Sequence, residues 1–176
     1  MQLDNATEQR LNEAVSYLRH KSNERLWARL YQKILFLLEL EYFKEHGTLF
    51  IGLKFKSYKY GPFSEEVANA LDNPQAVEHS QRVQEKLDEI LERYDLKDYS
   101  RSNMQQAYTQ IIDHIHSLLF YHLTPFGHII EFEKYPIESL FERLETKIDG
   151  EFLENERGEF YRLRHQAKGL TCQFLT

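Results

Sequence analysis

Most of the chain carries a helical period. Leu11, Val15 and Leu18 recur at i, i+4 and i+7 and predict an amphipathic helix over roughly residues 6–20. The polar stretch His20–Glu24 reads as its connector. From Leu26 to Tyr42 the apolar positions run nearly all the way round. Leu26, Leu30, Ile34 and Leu37 form one row; Trp27, Tyr31, Leu35 and Leu38 form another. A helix apolar on every side belongs in the middle of a fold. Gly47, behind the polar KEHG, is its expected stop.

The period then changes. TLFIGLKFKSYKY, residues 48–60, is β-branched and aromatic and alternates, which predicts a strand or a hairpin turning near Gly52. Period two puts Leu53, Phe55 and Ser57 on one side and Lys54, Lys56, Tyr58 and Tyr60 on the other. Gly61-Pro62-Phe63 is a corner in a chain with only seven glycines and four prolines. Ser64 is placed to cap a following helix whose first turn holds Glu65 and Glu66. Val67, Ala70 and Leu71 would be its buried side, and Asp72-Asn73-Pro74 its end.

Further helices are written by Val83, Leu87, Ile90, Leu91 and Tyr94, and by Met104, Tyr108, Ile111, Ile115, Leu118 and Leu119. Residues 122–136 read as a loop with a short extended piece, HIIEFE, and Pro136 opens a short helix. The predicted fold is therefore mainly α: one helical domain over residues 1–150, with a small strand or hairpin after the second helix. A winged-helix-like arrangement is one way to pack its first half. Residues 151–176, with Phe152, Phe160, Tyr161 and Phe174, read as a C-terminal arm docked on the same domain.

Charge narrows the classes of function. The chain carries 22 Lys and Arg against 28 Asp and Glu, net −6, which disfavours broad nucleic-acid binding. The distribution is uneven. Residues 1–60 carry net +3 and residues 61–176 net −9, leaving room for one basic contact surface near the front. The longest strongly apolar run, Ile34–Leu38, is far short of the ~18 residues of a membrane span. The polar MQLDNATEQR lacks the apolar segment of a secretory signal, and one cysteine precludes a disulfide framework within the chain. A cytoplasmic protein is expected.

Candidate chemistry is sparse. Asp113 and His116, three apart, could share a metal ion with His122 or His128, but no HExxH or paired-cysteine spacing supports this, and the bland reading is surface histidines. Cys172 lacks a neighbouring base. No Gly-rich phosphate loop, dinucleotide fingerprint or GxSxG occurs, so no enzyme, cofactor or metal is expected. The strip itself has two readings. Lys54, Lys56, Tyr58 and Lys59 could meet a phosphate backbone or an acidic protein. The bland alternative is a solvated edge strand that uses lysine against edge-to-edge pairing.

The segment from Leu11 to about Asp72 resembles the N-terminal half of the Panacea family, the SocA-like antitoxin and phage-associated proteins. The matching features are Lys33 ahead of Ile34-Leu35-Phe36, Gly47 at the helix end, and Tyr58-Lys59-Tyr60-Gly61-Pro62 leading into a helix. YwgA-like proteins share a similar corner that extends to Phe63 and Ser64. The resemblance implies a non-enzymatic module that binds and neutralises a partner protein, such as a co-encoded toxin; SocA-like members deliver theirs to a protease. Lys54, Lys56, Tyr58, Lys59, Tyr60 and Phe63 are then the candidate partner contacts, and Gly61, Pro62 and Ser64 the corner that orients them. The alternative is a winged-helix-like DNA-binding regulator using Lys54, Lys56 and Lys59.

Overall fold

The computed structural model describes residues 4–143 and the backbone of two short segments, 152–154 and 160–162. Helix α1, Asn5–Lys21, begins where Asp4 accepts hydrogen bonds from the amides of Ala6 and Thr7 at 3.0 and 2.9 Å. Helix α2, Ala28–His46, ends at Gly47, whose φ of 67° lets its amide close on the Phe43 carbonyl at 2.8 Å. Then come α3 (Glu65–Asp72), α4 (Gln81–Arg93), α5 (Arg101–Ser117) and α6 (Leu119–Leu123). Two 3₁₀ turns follow, Phe132–Lys134 and Ile137–Phe141.

The mainly helical fold is as expected, and so is the central helix. Every residue from Leu30 to Leu40 is buried, and α3, α4 and α5 all pack on α2, while α1 packs on α3 and α4. Phe36 meets Phe55 edge-on at 5.4 Å and Phe132 at 5.7 Å, and Phe132 also meets Phe43 and Phe120. This aromatic cluster joins the middle of α2 to the segment after it and to the 3₁₀ turns.

Two expectations need correction. The strand or hairpin after the second helix is not formed: among the described residues, 48–63 contain no strand and do not pair with themselves across Gly52. The segment is extended, and its pairing is confined to Lys56, which bridges Phe63 on one side and Ile129 on the other. Lys56 and Phe63 exchange two backbone hydrogen bonds, at 2.8 and 3.0 Å. Ser57 donates to the His128 carbonyl, and Ile130 donates to that of Phe55. The short extended piece near HIIEFE is thus the real neighbour. The second correction concerns α5, which stops at Ser117. Leu118 is extended because Leu119 donates to the Glu142 carbonyl, drawing the chain out of the helix.

The two short segments, β1 (Phe152–Glu154) and β2 (Phe160–Arg162), pair antiparallel with Leu153 opposite Tyr161. Apart from that backbone, the docked arm expected over residues 151–176 lies outside the described residues.

The extended segment is held at its start by one side chain. Glu39, 0% exposed in the middle of α2, accepts four backbone N–H groups. Its Oε2 takes Phe50 and Ile51 at 2.6 and 3.2 Å; its Oε1 takes Gly52 and Leu53, both at 2.8 Å. Burial pushes the Glu39 carboxyl up, and the four amides pull it back down. Hydrogen bonds to a charged group contribute about 1.5–3 kcal/mol each, and a buried amide without an acceptor is costly. Glu39→Gln keeps the size but turns an NH₂ toward two of these amides. It is expected to lower unfolding stability by about 2–4 kcal/mol, read from urea midpoints.

Candidate partner-binding face

The alternation of residues 53–58 survives without a strand. Leu53, Phe55 and Ser57 are buried, Lys54 is exposed, and Lys56 and Tyr58 are half-buried. The outward face is fixed from beneath by Glu39 at one end and by two further α2 side chains at the other. Gln32 makes a two-way clasp on Ser64: its Oε1 accepts the Ser64 amide at 2.8 Å and its Nε2 donates to the Ser64 carbonyl at 3.0 Å. Lys33, 4% exposed, donates from Nζ to the Pro62 carbonyl at 2.9 Å. Gly61 closes a turn by donating to the Tyr58 carbonyl at 3.0 Å.

Ser64 stands at the N-cap of α3, yet its hydroxyl does not cap the helix as expected. It donates to the Glu66 carboxylate at 2.6 Å, so Gln32 anchors this helix start in its place.

The expected contacts divide into two groups. Tyr58, Tyr60, Gly61 and Phe63 converge on one groove of about 490 Å³, completed by Ala28, Arg29, Gln32 and Lys33 of α2 and by Ala68, Leu71 and Asp72 of α3. Tyr58 stands edge-on between Phe63 (5.8 Å) and Phe126 (5.1 Å), and the Tyr121 hydroxyl donates to its carbonyl at 2.7 Å. Tyr60 is 62% exposed and has two cations near its ring, Arg29 at 5.7 Å and Lys59 at 5.9 Å. Lys54, Lys56 and Lys59 lie outside the groove lining. Lys56 is paired with Glu65 at 2.5 Å, which raises the lysine and lowers the carboxyl.

The histidine arrangement is different in kind. His116 stacks on Tyr121 at 5.3 Å and His122 bonds the His116 carbonyl through Nε2. Among the described residues, no three His, Cys, Asp or Glu side chains gather as a metal ion would require. Cys172 lies outside the described residues.

This geometry includes every landmark of the corner motif, and comparison with known families agrees with it. The family described as "Antitoxin SocA-like, Panacea domain" matches residues 31–156. The chain belongs to this family. The Panacea match starts inside α2 and runs well past Asp72, so it includes the whole groove except Ala28 and Arg29, and extends into the second half of the chain. No curated protein and no solved structure matches the chain. Among the described residues of this Panacea domain, no helix is long and apolar enough to cross a membrane.

Gln32 and Glu39 carry no motif; what marks them is polarity inside an otherwise apolar helix, where buried polar groups must find partners. Lys33 belongs to the motif, but its burial was not visible from the residues around it.

Gly61 is the strictest position of the Panacea corner. Its φ is +88°, and a Cβ there would lie 2.9 Å from both Lys33 Cε and Ile112 Cδ1. Gly47 has a φ of +67° with nothing nearby. Alanine at Gly47 therefore meets only the backbone term, about 1–2 kcal/mol, whereas Gly61→Ala must also push aside the ends of the Lys33 and Ile112 side chains and is expected to cost more. Urea denaturation of the two variants side by side checks the order.

Burial, with the Arg29 guanidinium adding a like charge, pulls the Lys33 ammonium down to about 7 from its ordinary 10.5. Between those two values the unfolded chain holds a proton that the folded one has released. Stability from this group therefore rises as pH rises from about 7 to about 10. The wild type should gain on the order of 3 kcal/mol relative to Lys33→Met between pH 7 and 9.5, measured by denaturation at both pH values.

Proposed function

We propose that this Panacea-family protein is a non-enzymatic binding module of the antitoxin type that engages and neutralises a partner protein, a co-encoded toxin, in the cytoplasm. The observation that carries this reading is the pre-positioned face from Lys54 to Phe63. Its backbone is clamped at both ends by buried side chains of α2, while its outward side chains are aromatic and basic. A face already held in one conformation loses little entropy on binding. An exposed tyrosine beside an arginine is a pairing of residue types enriched at protein interfaces. Family membership supports a protein as the partner.

The DNA-binding alternative needs the same lysines on a wing. Among the described residues, 48–63 form no strands, only the single Lys56–Phe63 bridge around the turn from Tyr58 to Gly61, and Lys56 is held by Glu65. Protein binding is therefore the better reading.

The test is affinity capture from native extract by the tagged wild type and by a Lys54→Ala, Lys56→Ala, Tyr60→Ala triple variant. The wild type should retain one dominant small protein. The triple variant should lose at least about tenfold of it while keeping its thermal melt, since all three side chains lie on the outer face. Expression of that captured protein alone should arrest growth, and co-expression of the wild-type chain should relieve the arrest. Capture of DNA whose yield falls steeply with salt would replace this reading with the regulator.

A further inference from the structure

Three polar side chains of α2 serve the extended segment, and they differ in one respect. Glu39 is saturated, each oxygen taking two amides. Gln32 has both its oxygen and its nitrogen engaged by Ser64. Lys33 has three donor hydrogens when charged but gives one hydrogen bond, to the Pro62 carbonyl. No carboxylate among the described residues forms an ion pair with it. It is nonetheless 96% buried and lines the groove beside the Gly61 corner. A buried ammonium without an anion is costly, so this one gives up its proton easily, and an anion placed beside it would hold it charged.

The walls state the rest of the recognition. Tyr60, Phe63 and Leu71 present apolar surface, and Arg29 adds a second positive charge next to Lys33. Asp72, the one carboxylate in the lining, is exposed and makes no ion pair with either cation. A volume of about 490 Å³ is within the usual ~300–1,000 Å³ of a binding cleft. A free small acid would satisfy the cations and leave the aromatic walls in water, whereas a peptide can supply both an acid and an apolar neighbour.

We propose that this groove is the anchor pocket for an acidic side chain of the protein partner, an Asp or Glu next to a bulky apolar residue. The carboxylate reaches Lys33 Nζ with Arg29 at its flank, and the apolar neighbour lies against Tyr60, Phe63 and Leu71. The inference rests on the protein-binding reading and specifies its chemistry. It also gives Lys33 a role distinct from holding the corner.

The test pans phage-displayed random dodecapeptides on the full chain, with counter-selection on the Lys33→Met protein, and measures the enriched peptide by fluorescence anisotropy. Enriched sequences should place Asp or Glu beside Leu, Ile, Phe, Tyr or Trp. Affinity should fall at least about thirtyfold in Lys33→Met and about tenfold in Tyr60→Ala. Because Lys33→Met also removes the bond to Pro62, the decisive arm alters only the peptide. Its Asp→Asn or Glu→Gln form should bind the wild type at least about thirtyfold more weakly and should lose little further in Lys33→Met, as a double-mutant cycle requires. Enrichment without an acidic position, indifference to the amide change, or no enrichment at all would overturn the pocket. Those results would leave the protein-binding reading intact if the extract still yields a protein that depends on Lys54, Lys56 and Tyr60. Failure of that capture would remove the broader reading instead.

Discussion

The structure depends on a problem that an extended segment sets for its neighbours. Residues 50–64 run beside a buried helix and make few backbone hydrogen bonds to other strands, yet much of their backbone is out of water. Buried amides and carbonyls need partners. The partners come from α2: Glu39 for the amides of residues 50–53, Gln32 for both backbone groups of Ser64, and Lys33 for the carbonyl of Pro62. Gln32 and Glu39 are seven residues apart, so they share one face of the helix about 10 Å apart along its axis. Nine residues separate Leu53 from Pro62, and an extended chain of that length would reach about 30 Å. The surplus has to leave the helix surface and return, and it does so as the turn from Tyr58 to Gly61. The protruding Tyr60 follows from the spacing of the clamps.

The same constraint decides which parts of the fold were legible in the residues. Helices α1, α2, α4 and α5 announce themselves because a buried stripe must repeat with the helical period, and Gly47 because an αL residue ends a helix. The alternation of Leu53, Phe55 and Ser57 reported correctly which side is buried. It could not report the neighbour. Period two records burial on one face, and a segment clamped by helix side chains shows the same pattern as a strand in a hairpin. The true neighbours, Phe63 and His128–Ile130, are a corner residue and a loop more than seventy positions away. The end of α5 was hidden for a related reason: Leu118 and Leu119 continue the apolar period, but the Leu119 amide donates to the Glu142 carbonyl and takes the chain elsewhere.

The candidate site was half legible. Tyr58, Tyr60, Gly61 and Phe63 stand together in the sequence and meet at one groove. The floor was not legible, because Gln32 and Lys33 reach it from a helix 32 and 29 residues before their partners Ser64 and Pro62. The lysines of the strip differ too, since Lys54 is exposed and Lys56 only half so. Lys56 is engaged by Glu65, and Lys33, which reads as a motif landmark beneath an apolar run, is the cation buried at the groove.

The three clamps need not have been built from three chemistries. A second glutamine in place of Lys33 could bond the Pro62 carbonyl without the desolvation of an ammonium, which is much the larger cost. Glu39 justifies its charge by taking four amides at once, a task no neutral side chain could perform equally well. Lys33 has no such return within the described fold, with one carbonyl bonded and Arg29 nearby to raise the cost. An amine that folding leaves without an anion at the floor of an aromatic groove is a site that an arriving carboxylate completes, by holding the proton the fold lets go. The same helix thus divides its buried polar groups between those that complete the structure and one that the structure leaves incomplete.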